Sequence, residues 1–280
     1  MLQILDGKRI RDERLPKLAE DFMALSFKTT LAIVQIGDRT DSNTYINQKK
    51  VLGEKLGVKI WHLKFTADLE PEKVIEEIHN LNNDSDIQGI IVQLPLPEGW
   101  NKKEIINTIS PNKDVDGLTE INQSKFYEGD KEAIIPATAR GILTLLDYYK
   151  ISIAGKKAVV VGRSELVGKP VAQLLRSRGA LVDVCHRQTK DIPTETKEGD
   201  ILVVAVGSPK FIGLNAVRSG QTVVDVGINK DEQGKLVGDV DFESVKDIVG
   251  AISPVPGGVG PLTVLSLFEN LLTVSQKKNF

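Results

Sequence analysis

The run Ala158-Val-Val-Val-Gly162-Arg-Ser-Glu-Leu-Val-Gly168-Lys-Pro170 leads from a buried β-strand into the start of a helix. Gly162 permits the tight turn, and Gly168 permits close packing of the helix on the strand. The N-terminus of that helix can face the pyrophosphate of a dinucleotide. Ser164 stands where the second glycine of G-x-G-x-x-G would be, so the motif is incomplete. The run favours a parallel α/β sheet, and it leaves a dinucleotide site and a plain turn as two interpretations of the loop.

Strand and helix patterns alternate on both sides of this run. The strand patterns are short apolar runs rich in β-branched residues, and most are separated by helical spacing. Predicted strands cover 30–37, 58–65 and 89–95 in a first block, and 157–162, 180–185, 201–206, 222–226 and 249–252 in a second. Predicted helices lie near 45–57, 72–81 and 141–149, and another follows from residue 263. Alternation in two blocks predicts two α/β units with largely parallel sheets and a ligand cleft between them.

The composition excludes several classes of protein. The 280 residues carry a formal net charge of −2 and a pI of about 6.0, so there is no basic surplus to hold nucleic acid. Cys185 is the only cysteine, which rules out an internal disulfide and a cysteine-built zinc site. The first residues reach charge too early for a signal peptide, and no apolar run approaches a membrane span. We therefore expect a soluble cytoplasmic protein without nucleic-acid or membrane partners.

Two arginines follow neighbouring predicted strands in the second block. Arg163 follows the strand that ends at Gly162, and Arg187 follows the strand 180–185. No Asp or Glu stands at the end of that second strand to bind a ribose 2′-hydroxyl. Guanidinium groups match phosphate oxygens bidentately, so the pair favours NADP over NAD. Two solvated surface arginines are the alternative.

Tyr45 and Lys49 are four residues apart on a predicted helix, so both side chains project from one face. A lysine can take part in acid–base chemistry only if its pKa falls, through desolvation or a nearby cation. A tyrosine ring beside it could stack on a flat ligand. From spacing alone, a solvated surface lysine is the better interpretation.

Polar residues also interrupt the apolar pattern near residues 93 and 114. Gln93 lies among apolar neighbours, so it is either a satisfied core glutamine or an amide that points into a cleft. Asp114 and Asp116 precede the turn residue Gly117, and they could bind a metal, cap a helix or receive an amidine-like group. A metal is disfavoured because no further ligand cluster accompanies them.

The run Pro256-Gly-Gly-Val-Gly-Pro261-Leu-Thr263 has few side chains that keep a ligand away from its backbone. The prolines restrict the loop, and helical spacing begins at Thr263, where unpaired N–H groups would cluster. We favour a ligand-contacting loop over a plain strand-to-helix turn.

Taken together, these segments identify a family. They are Tyr45-x-x-x-Lys49, Gln93-Leu-Pro-Leu-Pro97, Asp114-Val-Asp116-Gly117, Gly162-Arg-Ser-x-x-Val-Gly168-x-Pro170 and Pro256-Gly-Gly-Val-Gly-Pro-x-Thr263. In this order, the chain closely resembles the bifunctional methylenetetrahydrofolate dehydrogenase/methenyltetrahydrofolate cyclohydrolase family over nearly its whole length. The resemblance implies oxidation of 5,10-methylenetetrahydrofolate with NADP⁺ and hydrolysis of the product to 10-formyltetrahydrofolate. It also implies a part in one-carbon metabolism that supplies purine and amino-acid biosynthesis.

The resemblance also implies the fold and the role of each matching residue. It implies an α/β protein with an N-terminal catalytic domain (1–137, with helix 262–280 packing back on it) and a Rossmann-like NADP-binding domain (138–261). The sheet of the second domain would be mainly parallel, the active-site cleft would lie between the domains, and the protein would be a homodimer. Lys49 would be catalytic with Gln93, Tyr45 and Asp116, and no metal is expected. The cofactor residues would be Gly162, Arg163, Ser164, Arg187 and Ile228. The folate residues would be Tyr45, Lys49, Val92, Gln93, Leu94, Asp116, Pro256, Gly257, Gly258, Pro261 and Thr263.

The chain departs from the family at the domain junction. The family usually has Pro-Cys-Thr-Pro-x-Gly there, whereas this chain has Pro136-Ala-Thr-Ala-Arg-Gly141, and Asp41 replaces a small uncharged residue. A dehydrogenase that has lost hydrolysis is therefore the first alternative. A nucleotide-sensing module without catalysis is the second, and the intact Tyr45, Lys49, Gln93 and Asp116 argue against it.

Overall fold

The computed structural model describes residues 2–277, and the chain divides into two compact units. The six-stranded unit contains the residues up to Glu13 together with Thr138–Thr263. The three-stranded unit contains Arg14–Ala137 together with the residues from Val264 onward. The last helix was predicted to extend to residue 280, and residues 278–280 lie outside the described residues.

Helices and strands alternate along most of the chain. The helices are α1 (Gly7–Met23), α2 (Thr40–Lys55), α3 (Pro71–Asn83), α4 (Lys102–Asn107), α5 (Glu120–Glu128), α6 (Ala137–Tyr148), α7 (Gly168–Ser177), α8 (Ile192–Glu198), α9 (Phe242–Val245) and α10 (Val259–Lys277). The strands are β1 (Gln3–Ile4), β2 (Thr30–Ile36), β3 (Lys59–Phe65), β4 (Gly89–Val92), β5 (Lys157–Val161), β6 (Leu181–Cys185), β7 (Ile201–Val204), β8 (Thr222–Asp225), β9 (Asn229–Lys230), β10 (Leu236–Val237) and β11 (Ala251–Ile252). A short 3₁₀ turn covers Leu214–Ala216.

The three-stranded unit is built on a parallel sheet in the order β3-β2-β4. The central strand β2 is buried along its whole length, whereas the edge strand β3 alternates between exposed and half-buried positions. The core joins apolar side chains of β2 and β4 to those of α3 and α4, including Ala32, Val34, Val74, Ile78, Ile90 and Ile105. Ligand-facing residues in such a sheet are expected where the parallel strands end.

The six-stranded unit is built on a sheet in the order β1-β11-β8-β7-β5-β6, and each neighbouring pair of strands is parallel. The inner strands β5, β7 and β8 are almost entirely buried. Continuous apolar runs of this kind are typical of parallel sheets that are covered on both faces. The predicted α/β class with a mainly parallel sheet is therefore confirmed.

Several element boundaries differ from those expected from the sequence. The two-residue strand β1 was not predicted, because so short a segment carries no periodicity. Helix α10 begins at Val259 rather than at Thr263, since Pro261 falls in the first turn, where its missing N–H costs nothing. Helix α2 begins at Thr40 rather than near Tyr45. The domain bounds given above stay a prediction.

Within residues 2–277, none of the helices is both long enough and apolar enough to cross a membrane.

Candidate functional site

Lys49 and Gln93 meet inside the three-stranded unit. Lys49 lies on α2, and its Nζ donates a hydrogen bond of 2.9 Å to Oε1 of Gln93. Gln93 directly follows β4, and its backbone N–H donates to the carbonyl oxygen of Val34 on β2. Its Nε2 donates to the carbonyl oxygen of Leu94 at 2.9 Å, which fixes the orientation of the amide. Gln93 is thus half-buried and holds the lysine, rather than being a glutamine satisfied within the core.

Asp116 interacts electrostatically with the same lysine. A parallel bridge joins Ile90 of β4 to Asp114, so the chain carries Asp116 to the level of Val92 at the end of β4. Burial lowers the pKa of Lys49, and the charge of Asp116 opposes that shift. Burial raises the pKa of Asp116, which Lys49 lowers and Asp114 raises. Lys49 can therefore exchange a proton closer to neutral pH than an exposed lysine can.

Asp114 and Asp116 have different surroundings, although their spacing in the sequence left the role of each undecided. The Asp114 carboxylate is fully buried and accepts five hydrogen bonds at 2.8–3.2 Å. The donors are the backbone N–H groups of Gly117, Leu118 and Thr119, the hydroxyl of Thr119 and Nδ2 of Asn122. Asp114 thereby fixes the turn that presents Asp116. No group of three or more potential metal ligands is found among residues 2–277.

Tyr45 lies one helical turn before Lys49 and is half-buried. Burial, with a smaller contribution from Asp41, raises the pKa of Tyr45 to about 12, so the phenol stays protonated. Among the other predicted folate residues of this unit, Val92 is buried and Leu94 is half-buried. The structure thus gathers Lys49 and Gln93 at the end of β4 and sets Tyr45 on the same helix as the lysine.

A polar network that the sequence analysis missed fixes the first turns of α2. Gln35 is buried in β2, and its Nε2 donates to Oδ1 of Asn43 at 2.7 Å. Its Oε1 accepts from Nε2 of His62 at 2.8 Å. Asn43 in turn donates through Nδ2 to Asp38 at 2.7 Å. The available signal was an amide within an apolar strand, which is the signal that singled out Gln93.

The turn after β5 is tightly constrained in the six-stranded unit. Gly162 has φ of +122°, and a Cβ there would overlap the carbonyl oxygen of Ala205. A Cβ on Gly168 would overlap the carbonyl oxygen of Gly162. The Ser164 hydroxyl accepts weak hydrogen bonds from the N–H groups of Val167 and Gly168, at 3.3 and 3.4 Å, and so stabilises the turn that leads into α7. Only glycine fits at both ends of this turn, as a close approach to a pyrophosphate requires.

Arg163 and Arg187 lie beyond the ends of two adjacent strands. Val161 of β5 is paired with Cys185 of β6, and the N–H of Gly162 donates to the carbonyl oxygen of Cys185. Both arginine side chains are exposed, and neither has a hydrogen bond or an ion pair with residues 2–277. The two cations are therefore available to an anionic ligand at one edge of the sheet.

The Pro256–Pro261 run lies beside the predicted cofactor residue Ile228. A Cβ on Gly260 would lie 3.8 Å from Cδ1 of Ile228, whose side chain is exposed. The N–H of Lys8 donates to the carbonyl oxygen of Gly257 at 2.9 Å. A Cβ on Gly258 would lie 2.7 Å from the carbonyl oxygen of Pro254. The run is thus held by the start of α1, and Gly258 is required for its own packing.

The altered junction leaves the start of α6 intact. This helix begins at Ala137, and Ala139 takes its third position, where a proline is tolerated but not needed. Ala137 and Ala139 are both buried. Gly141 is tightly packed, because a Cβ there would lie 3.0 Å from the backbone of Leu262. The departure from the family pattern therefore does not break the helix.

A constrained βα turn with two available arginines, together with a separate unit that holds a half-buried lysine, defines a two-domain α/β enzyme that uses a nicotinamide dinucleotide. Comparison with known proteins makes this specific. The chain belongs to the tetrahydrofolate dehydrogenase/cyclohydrolase family: residues 5–116 match its catalytic domain, and residues 136–279 match its NAD(P)-binding domain. The resemblance read from the sequence is confirmed.

Individual relatives match along nearly the whole chain. The "Bifunctional protein FolD" of Methanoculleus marisnigri is 46% identical over 95% of this chain and 94% of its own length. The structure of the bifunctional enzyme FolD from Campylobacter jejuni is 38% identical, with a TM-score of 0.97 over 99% of this chain and 100% of that one. FolD from Trypanosoma brucei, solved with NADP cofactor and an inhibitor, is 32% identical with a TM-score of 0.95, over 99% of this chain and 98% of that one.

Proposed function

We propose that this chain oxidises 5,10-methylenetetrahydrofolate to 5,10-methenyltetrahydrofolate with NADP⁺ and hydrolyses that product to 10-formyltetrahydrofolate. The hydrogen bond between Lys49 and Gln93, in a chain of this family, carries the proposal. This bond orients a lysine whose pKa is lowered, which supports assigning proton transfer to Lys49. No observation favours an enzyme that has lost the hydrolytic step.

The residues of the six-stranded unit fit NADP in the oxidation step. NADP⁺ bound there would supply the acceptor for the hydride that leaves the methylene carbon of the folate and turns it into a methenyl cation. The turn at Gly162 and Ser164 would hold the pyrophosphate, and Arg163 and Arg187 would pair with a 2′-phosphate. Hydride transfer depends on positioning more than on acid–base chemistry, so these residues act by orienting the reactants.

The residues of the three-stranded unit suit the hydrolytic step. Neutral Lys49 takes a proton from the water whose oxygen attacks the methenyl carbon. The bond from that carbon to N5 then breaks as the protonated Lys49 returns the proton to N5, and the hydroxyl proton leaves to solvent as the formyl C=O forms. Gln93 holds Nζ in place, while the Asp116 carboxylate pairs with N–H donors at the pterin edge and Tyr45 packs on the rings. We also assign folate contacts to Val92, Leu94, Pro256, Gly257, Gly258, Pro261 and Thr263.

The pH dependence of hydrolysis should respond to Asp116. The negative charge of Asp116 raises the pKa of Lys49, so Asp116→Asn should lower that pKa further. Because the neutral lysine is the base, activity rises as pH passes upward through the Lys49 pKa. The rising limb of the rate profile at saturating methenyl-folate should therefore move to lower pH in Asp116→Asn. Stopped-flow absorbance over roughly pH 6 to 9 measures the position of this limb. An unmoved limb, or a limb moved upward, would contradict the coupling.

Removal of one arginine should separate the two cofactors. Arg187→Ala is expected to weaken NADP binding roughly 10- to 100-fold, because a charge-assisted bond to phosphate is lost, and to leave NAD binding unchanged. Isothermal titration with each dinucleotide measures this. Arg176→Ala is the matched control, because Arg176 lies at the far end of α7 and donates to the carbonyl oxygen of Val182. Equal losses for NADP and NAD would refute a 2′-phosphate site at Arg187.

A spectrophotometric assay tests the proposed function as a whole. Purified protein is mixed with 5,10-methylenetetrahydrofolate and either NADP⁺ or NAD⁺, and reduction of the dinucleotide and the methenyl absorbance are followed together. We expect NADP⁺-dependent oxidation, followed by decay of the methenyl signal. Absence of dinucleotide reduction would refute the dehydrogenase assignment, and a stable methenyl signal would refute the cyclohydrolase assignment.

The biological setting rests on the family resemblance and the composition. We infer a cytoplasmic homodimer that supplies one-carbon units for purine and amino-acid biosynthesis. Light scattering of the purified protein measures its oligomeric state. We also retain 1–137 with 262–280 as the catalytic domain and 138–261 as the NADP-binding domain.

A further inference from the structure

Asp239 holds two loops of the six-stranded unit at once. Asp239 lies between β10 and α9 in the sequence, and it is fully buried. The Oδ2 atom accepts hydrogen bonds from the backbone N–H groups of Val206 and Gly207, at 2.6 and 2.9 Å. The Oδ1 atom accepts from the backbone N–H of Ser208 at 2.9 Å and from Nδ2 of Asn229 at 2.8 Å. One side chain therefore ties the loop after β7 to the loop after β8.

Asp225 fixes the position of Asp239. It is the last residue of β8 and is buried, and its Oδ1 accepts from the backbone N–H groups of Gly227 and Asp239, both at 2.9 Å. Its Oδ2 accepts from the N–H of Val240 at 2.9 Å. A Cβ on Gly238 would overlap the Asp225 carboxylate, and one on Gly227 would overlap that of Asp239. The two glycines admit the two carboxylates, so the arrangement is a built feature of the unit.

The two loops lie at the edge of the sheet where the dinucleotide turn begins. Strands β5, β7 and β8 are adjacent and parallel, so their carboxyl ends share one edge. Ala205, the residue before the first loop, is the residue whose carbonyl oxygen lies against Gly162. The loops also carry two exposed apolar side chains, Val206 (37% exposed) and Ile228 (44%). Exposed apolar side chains at such an edge suit the flat rings of a dinucleotide.

We propose that Asp239 is a positioning residue for the nicotinamide dinucleotide, acting through the loops 206–208 and 227–229. This inference rests on the proposed function, because it takes the edge at Gly162 as the cofactor site. Asp239 itself need not touch the cofactor. Its carboxylate sets the backbone from which Val206 and Ile228 project, and Asp225 holds it there.

Only a carboxylate satisfies the donors that surround this position. Each oxygen of Asp239 faces two N–H donors, so an asparagine in either orientation would turn its own NH₂ group toward two of them. Leaving buried donors unpaired is costly, and the loop residues are free to move away to find water. Asp239→Asn should therefore release the loops without removing volume from the core.

The first experiment measures NADP binding and loop protection in Asp239→Asn. By isothermal titration, we expect the dissociation constant for NADP to rise about tenfold or more. In the protein without NADP, we expect faster amide hydrogen exchange at residues 206–208. At saturating methenyl-folate, we expect hydrolysis without NADP to stay within about twofold of wild type, because the proton-transfer residues Lys49 and Gln93 lie in the other unit. A wild-type NADP affinity in the folded variant would overturn the proposal.

A control and a milder variant separate positioning from general destabilisation. Asp200 lies just before β7, at the end of that strand opposite to the loop 206–208. Its carboxylate accepts hydrogen bonds from the N–H of Lys157 and from the Arg218 guanidinium, and Asp200→Asn removes that carboxylate. It should lower the melting temperature and leave NADP affinity unchanged; an equal loss of affinity would refute a specific role for Asp239. If Asp239→Asn does not fold, Asn229→Ala removes one donor and should still weaken NADP binding. Because titration needs no folate, failure of the folate assay in the wild-type protein would refute the proposed function alone.

Discussion

Replacement of Lys49 by methionine is expected to slow hydrolysis of 5,10-methenyltetrahydrofolate by about 100- to 10,000-fold, the usual contribution of a positioned acid–base group. Methionine has a similar length and fits a half-buried position, so the protein should fold. It cannot accept or return a proton, and Gln93 loses the Nζ donor. Decay of methenyl absorbance in the absence of NADP measures the step directly.

The neighbouring lysine provides the control for this prediction. Lys50 lies on the same helix but is exposed. Lys50→Met should therefore retain the wild-type rate of hydrolysis, and Lys49→Met should retain wild-type NADP affinity. If Lys49→Met hydrolyses its substrate at the wild-type rate, Lys49 is not the proton-transfer group, and the chemistry must be assigned elsewhere.

Replacement of Gly162 by alanine is expected to weaken NADP binding roughly 100-fold, since the added Cβ meets a backbone that cannot yield without moving the turn. The residue has φ of +122°, which an alanine rarely adopts, and the Cβ would overlap the carbonyl oxygen of Ala205. The strained turn would move away from the pyrophosphate position. NADP titration and the dehydrogenase rate measure the loss.

Gly155 provides a control that separates the effect of steric overlap at Gly162 from the effect of a strained backbone. Gly155 also has a positive φ, +73°, but an added Cβ there would meet nothing within 4 Å. Gly155→Ala should cost some stability and leave NADP affinity unchanged. Hydrolysis of methenyl-folate without NADP should persist in both variants. An NADP affinity of Gly162→Ala equal to that of Gly155→Ala would show that the turn does not contact the cofactor.

The sequence predicted helices α2, α3, α6, α7 and α10 and most strands of the two larger sheets because their signals are local, whereas the 17-residue helix α1 (Gly7–Met23) was not predicted. The strands β2 to β8 and β11 correspond to apolar runs, and alternation with helices correctly indicated parallel sheets. The pairing of β1 with β11 could not be predicted, because Gln3–Ile4 has no pattern of its own and its partner is remote in sequence. The early start of α2 was not predicted either; Asn43 in its first turns accepts a hydrogen bond from Gln35 of β2.

The site was predictable where motifs are specific, and less so where chemistry depends on surroundings. The spacing of Tyr45 and Lys49 favoured a surface lysine, and only its burial, which the charge of Asp116 partly opposes, lowers its pKa. The different roles of Asp114 and Asp116 required the hydrogen bonds of the turn. Asp239 escaped the sequence analysis, because no local pattern separates a buried aspartate from an exposed one. Two of its hydrogen-bond donors, the N–H groups of Val206 and Gly207, lie more than 30 positions earlier in the sequence.

The pairing of β1 with β11 bears on the order in which the protein folds during synthesis. Gln3 pairs with Ala251, and Lys8 supports Gly257, so these early residues complete their contacts only after residues far later in the sequence have been translated. Contacts of such long range are slow to form. Until then β11 lacks a neighbour on one side, and an open sheet edge is prone to pair with other chains. The Pro256–Pro261 run should accordingly be among the last parts of the nascent protein to become ordered, so ribosome-bound intermediates would lack a finished ligand site.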